Sequence, residues 1–264
     1  MKRTVVVKGA GDLATGVAHR LVRSGFAVVM TELAQPLVIR RTVAFAQAIF
    51  CQQVTVEQIT AIKTKFTGIN SALNQGKVPV VVDPTAEIVK QLQPWAVVDA
   101  IMAKINVGTN INDAPVVVGL GPGFTAGKDV NLVVETMRGH YLGRVITEGQ
   151  AIADTGVPGD IGGYNKERIL RAPCAGIFIG HSKIGDLVNA GQVVAYVDHE
   201  PVIATISGVL RGLLNDGIAV PAGLKIGDID PRCAPEHCFT ISDKARAIGG
   251  GVLEALLFCQ ASQV

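Results

Sequence analysis

The sequence predicts an α/β protein in which a Rossmann-like parallel sheet is followed by a β-rich module and a C-terminal helix. Three observations carry that expectation. Valine-rich runs of strand length alternate with helix-length stretches through residues 1–150. The stretch "VVVKGAGDLATGVAHRL", residues 5–21, sets a Gly-x-Gly turn between the first such run and an amphipathic segment. Farther on, Ala172, Gly176, Gly185, Ala190 and Gly191 recur as Ala204, Gly208, Gly217, Ala222 and Gly223, each at an offset of 32 residues.

In order along the chain, strands are predicted at 4–7, 27–31, 78–82, 96–100, 116–119 and 132–135, and helices at 14–24, 38–49, 56–74 and 85–92. Such alternation argues for βαβ units and a parallel sheet. Residues 151–168, with "ADTGVPGDIGGY", are rich in Gly and Asp without helical period and read as a linker or exposed loop. The repeat occupies 169–232, each copy a set of short strands joined by glycine turns, the two closing over one small core. In the terminal segment, 233–264, Ser242 suits an N-cap, and Ala245, Ile248, Val252, Leu256 and Leu257 form an apolar face. Gly249, Gly250 and Gly251 each cost a helix about 1 kcal/mol relative to Ala. They point to close packing, helix-on-sheet contact or a ligand being the alternatives.

The repeat is similar to the barrel-sandwich fold of biotinyl and lipoyl carrier domains, in which a hairpin between two quasi-symmetric halves presents a modified lysine. Here that connection reads "YVDHEPVIATIS", residues 196–207, and holds no lysine. The resemblance therefore implies the fold and speaks against covalent biotin or lipoate.

Bulk properties narrow the class. Hydrophobic residues make up 48%, and 24 basic against 22 acidic residues leave a net charge of +2. No basic stripe argues for nucleic acid. No window approaches the roughly 18 unbroken apolar residues of a membrane span, and no signal-peptide run precedes the first glycines. Five scattered cysteines suit a reducing cytoplasm better than a disulfide framework.

The glycine turn carries the main site expectation. Gly9 and Gly11 permit a tight turn, and Ala14 takes the third, small position of a G-x-G-x-x-G/A fingerprint. Helix amides there face a diphosphate, and Glu32, 21 residues after Gly11, is placed for a ribose hydroxyl. A glycine turn without a ligand is the alternative. Asp12 beside the turn repels an anion unless it points away or caps the helix. Arg40 and Arg41 either grip a phosphate or occupy a solvated helical turn. In "GLGPGFTAGKD" Gly119, Gly121 and Gly123 leave amides for an anion, with Thr125 and Lys128 as further donors, although Pro122 and Asp129 exclude a P-loop. Asp99 with Lys104 reads either as an acid–base pair or as a capping Asp and a surface Lys. Cys233, His237 and Cys238 lack the second ligand pair a zinc site needs, so no metal is expected and their role stays open. No hydrolase triad stands out, and no catalytic residue is assigned.

The blocks "KGAGDLATGVAHRL", "RRTVAF", "GLGPGFTAGKDV", "SGVLRGLL", "GDIDPR" and "TISDKARAIGGGVLEA" together resemble the accessory proteins of selenium-dependent molybdenum hydroxylases, relatives of the XdhC/CoxI maturation factors. The resemblance runs over nearly the whole length. It implies a role in maturing or inserting a molybdopterin-type cofactor, a molybdopterin dinucleotide as ligand, and a molybdenum hydroxylase as client. It also adds Arg41, Lys128 and Asp230 to the glycine loops as ligand contacts. An NAD(P)-dependent oxidoreductase and a non-catalytic nucleotide-binding protein are the alternatives. Oligomeric state, a homo-oligomer included, stays open.

Overall fold

The computed structural model describes residues 2–157 and 159–261. The chain divides into two compact units. Met1–Pro36, Ala44–Thr155 and Ile241–Val264 make the first, and Leu37–Val43 with Gly156–Thr240 the second.

In the first unit β1 (Thr4–Lys8) leads through the Gly9–Gly11 turn into α1 (Asp12–Arg23). Buried Ala14, Val17, Ala18 and Leu21 recur at helical spacing, and Gly25, at φ +92°, ends the helix. Next come β2 (Ala27–Glu32), α2 (Ala48–Cys51), β3 (Gln53–Val56), β4 (Ile59–Thr64), α3 (Ile69–Asn74), β5 (Val78–Val82) and α4 (Ile88–Leu92). They are followed by β6 (Ala96–Asp99), β7 (Val116–Leu120), β8 (Thr125–Ala126), β9 (Leu132–Val134), β10 (Val145–Ile146) and β11 (Gly149–Gln150). The strands form one sheet of nine in the order β10-β9-β7-β6-β1-β2-β5-β4-β3, with β8 and β11 as a separate ribbon. Val5, Val6, Val7, Val97, Val98, Val116, Val117 and Val118 are wholly buried, each worth about 1.5 kcal/mol or more of burial.

The expected parallel sheet is corrected to a mixed one. Neighbours from β4 to β9 are parallel, but β3 pairs antiparallel with β4, and β10 with β9. Glu57 and Gln58, at φ +43° and +73°, turn residues 53–64 into a tight hairpin. The helix expected over 56–74 is therefore strand in its first part. The β-branched Ile59, Thr60, Ile62 and Thr64 favour that outcome, and only a 3₁₀ turn at Phe66–Gly68 and α3 remain helical. The helix expected over 38–49 reduces to two 3₁₀ turns and the start of α2.

The last element of this unit is α5 (Asp243–Ala261), where the Ser242 hydroxyl accepts from the Ala245 amide. Its glycines meet backbone. A Cβ on Gly249 would lie 2.8 Å from the Gly16 carbonyl oxygen of α1, and Gly251 abuts Gly143. A Cβ on Gly16 would in turn lie 2.7 Å from that of Ala245. Small residues thus let α1 and α5 touch backbone to backbone.

The second unit holds β12 (Ile169–Arg171), β13 (Gly176–Gly180), β14 (Leu187–Val188), β15 (Val193–Val197), β16 (Glu200–Ile203), β17 (Gly208–Leu213), β18 (Ala219–Val220) and β19 (Lys225–Asp230). The carrier-type barrel-sandwich expected over 169–232 is corrected here. The strands divide into two antiparallel sheets, β12-β19-β17-β14 and β16-β15-β13-β18, and no ladder joins them among the described residues. Two-residue strands such as β14 and β18, ended by glycine turns, are too short to carry pairing from one sheet to the other. Among the described residues no helix is long and apolar enough to cross a membrane.

Candidate functional site

In the first unit the chain leaves β1 toward β2, β5 and β4 on one side, and later fills β6, β7 and β9 on the other. The strand order reverses between β1 and β6, and open α/β sheets bind ligands beyond the carboxyl ends of strands at such a point. Lys8 and Asp99 are register partners at those two ends. The Lys8 ammonium donates to Thr109 Oγ1 (2.9 Å) and Asp113 Oδ2 (3.1 Å), and the Thr109 hydroxyl donates to Asp99 Oδ2 (2.5 Å). Lys8, Asp99 and Thr109 are all buried, so this network closes the floor of the edge. Asp99 is not paired with Lys104, whose ammonium lies 2.6 Å from Asp154 instead.

Above that floor, Gly9 stands at φ +87°, and a Cβ there would lie 3.1 Å from the Ala100 carbonyl oxygen. The Ala10 amide donates to Glu32 Oε2 (2.9 Å) and the Leu33 amide to Oε1 (2.7 Å). Burial raises the Glu32 pKa above the ordinary carboxylate range, partly offset by these two amides. Glu32 therefore braces the glycine turn. Gly11 is the N-cap of α1 and offers no side chain to bond the amides of the first turn.

The second glycine loop turns its glycines toward protein. Gly121 abuts the Thr136 side chain, and a Cβ on Gly123 would lie 2.8 Å from the Ile105 backbone. The Thr125 hydroxyl accepts from Gln150 (2.9 Å) and its amide donates to Asp129 (2.8 Å). Exposed Lys128 lies in a turn three residues before Asn131, which bonds both ways with Val117 near the start of β7. That places Lys128 toward the amino-terminal side of the sheet. Arg41 and Asp230 belong to the second unit. Arg41 Nε donates to the Leu213 carbonyl (3.1 Å), and Asp230 receives Arg232 (2.6 Å) and Arg211 (3.3 Å). There too Cys238 is wholly buried and Cys233 exposed. No cluster of three or more His, Cys, Asp or Glu suits a metal among the described residues.

One residue at the edge escaped the sequence reading. Lys244, in the first turn of α5, is partly buried, and its ammonium makes no hydrogen bond or ion pair to another described residue. Burial holds its pKa below the ordinary lysine value, as does the charge of Arg138, while Asp12, Glu135 and Asp154 oppose the shift. None of those groups is spent on it alone. Glu135, at the end of β9, accepts from the amides of Thr136 (2.7 Å), Met137 (2.7 Å) and Ile152 (2.8 Å). Arg138 donates to Asp243 (2.8 and 3.2 Å). Gly16 of α1 meets both Ala245 and Gly249 of α5, and Asp12, in the first turn of α1, acts on Lys244. A signal was available: the first turn of a helix favours acids, and "SDKAR" puts a lysine there.

No protein-family model matches the chain. "Uncharacterized protein YqeB" of Escherichia coli (strain K12) is 53% identical over 254 residues, 96% of this chain. The chain spans about half the length of that curated relative, 47%. Solved structures with partial likeness include an aspartoacylase family protein from Mesorhizobium loti (11% identity, 86% of this chain and 84% of that one, TM-score 0.27). Two more are a succinylglutamate desuccinylase from a Silicibacter species (14%, 86% and 84%, TM-score 0.26) and a succinylglutamate desuccinylase/aspartoacylase from Rhodobacter sphaeroides (14%, 86% and 85%, TM-score 0.28). Likeness at that level carries neither a shared fold nor an activity to this chain. The comparisons nevertheless correct the resemblance drawn from the sequence. The proteins named here are of acylase and desuccinylase type, or carry no activity in their name, and none is named as a molybdenum hydroxylase maturation factor. The XdhC/CoxI kinship, the maturation role and the oxidoreductase alternative are set aside.

Proposed function

We propose that the first unit binds a small phosphate-bearing molecule at the carboxyl edge of its sheet, with Lys244 as the cation that meets the phosphate. The observation that carries this reading is Lys244 itself: its side chain is partly buried, has no hydrogen bond or ion pair to a described residue, and feels Asp12 in the first turn of α1 and Glu135 at the end of β9. A lysine kept there at a cost in folding is accounted for by a ligand that repays the desolvation. The amino-terminal end of α1, where Gly11 brings no side chain, favours an anion. Glu32 and the buried Lys8–Thr109–Asp99 network hold the turn and floor rigid. A cytoplasmic location fits the scattered cysteines.

The test compares wild type with Lys244→Met in thermal melts and calorimetry against inorganic phosphate, NAD, NADP and a molybdopterin dinucleotide. A ligand at 100 times its dissociation constant adds about 2.7 kcal/mol to stability. At least one probe is expected to raise the wild-type melting temperature. Lys244→Met is expected to melt at or above the unliganded parent, because an uncompensated charge is removed, and to lose the response. No response from any probe, or equal binding by Lys244→Met, overturns the proposal.

A further inference from the structure

A second cationic site lies elsewhere in the first unit. A cavity of about 250 Å³ is lined by Gly16, His19, Arg20, Arg23, Ser24, Ile241 and Arg246, of which Arg20, Arg23 and Arg246 are cationic. The basic residues at the end of α1 complement its dipole, which by itself explains a solvated pair. Arg246 is different, since it comes from α5 and is anchored. Its Nη2 donates to both Glu57 oxygens (2.7 and 2.8 Å), and the Ile241 amide donates to Glu57 as well (2.8 Å). Glu57 is itself held at positive φ in the β3–β4 hairpin turn. The side chains of Arg20 and Arg23 make no hydrogen bond or ion pair to another described residue. Against three guanidiniums stands the one Glu57 carboxylate, an excess of two positive charges.

Beneath them His19 is 7% exposed, and its Nε2 is buried without a hydrogen bond, 3.7 Å from Glu57 Oε2. A neutral ring in that position adds no charge to the cavity. We infer that this cavity is an anion site for a small oxyanion of the inorganic phosphate class, gripped by Arg20, Arg23 and Arg246. Organic ligands occupy pockets of roughly 300–1,000 Å³. This smaller space suits the oxyanion alone. Paired guanidinium forks match its geometry, which chloride does not.

His19 reports occupancy. Burial keeps its pKa below the ordinary value, Glu57 pulls it up, and Arg23 and Arg246 push it down. A bound dianion offsets the arginines, so the titration midpoint of His19 is expected to rise. The experiment follows the His19 ring by NMR, assigned with His19→Gln, while phosphate, sulfate or chloride is added at constant ionic strength. Phosphate is expected to raise the midpoint and chloride to leave it in place. Arg20→Gln/Arg23→Gln replaces exposed side chains at the helix end, and its melting temperature is expected to match the parent. Loss of a charge-assisted hydrogen bond weakens binding by about ten- to a hundredfold, so its phosphate response is expected to fall by at least that factor. Lys244→Met is expected to keep the response, which separates this site from the carboxyl edge. Equal responses to chloride and phosphate, an unchanged response in the double variant, or a response lost in Lys244→Met overturns the inference.

Discussion

The two sheets of the second unit are copies of one another in backbone and opposites in surroundings. At an offset of 32 residues β12, β13, β14 and β15 map onto β16, β17, β18 and β19, and the two sheet orders correspond strand for strand. Inward positions agree: Phe178 and Leu210, Val194 and Ile226, Val197 and Ile229 are each wholly buried. Outward positions do not. Ile177 (42% exposed), Ile179 (51%) and Tyr196 (37%) correspond to Val209 (0%), Arg211 (6%) and Asp228 (6%). The second copy is covered by residues distant in sequence. Leu213 donates its amide to the Ile39 carbonyl (2.8 Å), Thr42 donates to the Cys238 carbonyl (2.6 Å), and Cys238 lies against Leu210. The covered face carries the charges, as Arg168–Asp228 (2.7 Å) and Arg211–Asp230 (3.3 Å), while the open face is apolar. Inward packing is thus dictated by the repeat, and outward burial by whatever segment crosses it.

If that contrast is real, equivalent substitutions must have unequal costs. Asp230 is 1% exposed between Arg211 and Arg232, whereas its counterpart Asp198 is exposed and accepts only the Ile177 amide (2.8 Å). Asp230→Ala strands Arg211 without its carboxylate, and breaking a buried pair this way costs about 3–5 kcal/mol. Asp198→Ala loses one exposed hydrogen bond, about 1 kcal/mol or less. Urea unfolding of both variants checks this, and equal midpoints would erase the contrast. A smaller difference is expected at the paired glycines. A Cβ on Gly208 would lie 2.5 Å from the Asp230 carbonyl oxygen and 2.8 Å from Ile229 Cγ2, both fixed. On Gly176 it would meet only the side chain of exposed Asp198, which can swing away. Gly208→Ala is expected to cost about 1–3 kcal/mol as overpacking, and Gly176→Ala about 0.5 kcal/mol at most.

The same contrast explains what could be read from the sequence. Wholly buried runs such as "TVVVK" and "VVVGL" declare themselves as strands because no other element buries so many consecutive valines at that length. The 32-residue repeat is legible because glycines at positive φ, among them Gly185 and Gly217, fall at equivalent turns. Glu32 is legible from its distance to Gly11, although it braces the turn through the Ala10 amide. Coverage is not legible. Nothing in "LVIRRTV" announces that it crosses β17, and residues 56–74 show an apolar spacing that serves a hairpin or a helix equally well. Lys244 matters only because α5 packs on α1, a contact set by Gly16 and Gly249 across more than two hundred residues.

The smallest effect distinguishing the two copies is in their response to acid. Asp230 is pushed up by burial, but hydrogen bonds from Arg232 and the charge of Arg211 outweigh that and hold its pKa below the ordinary value. An unfolded Asp titrates near pKa ~3.9. The folded value is the lower one, so between the two the unfolded chain binds more protons and stability rises with pH. The contribution of Asp230 is therefore fully present above about pH 4 to 5. It is lost as pH falls through the folded value. Asp230→Asn is expected to flatten this acid limb of the stability curve while leaving its slope near neutrality unchanged. Asp198→Asn, on the open copy, is expected to leave the limb as steep as in the parent. Urea midpoints measured from pH 7 down to pH 3 decide the matter, and an acid limb that is unaltered in Asp230→Asn would remove Asp230 as its source.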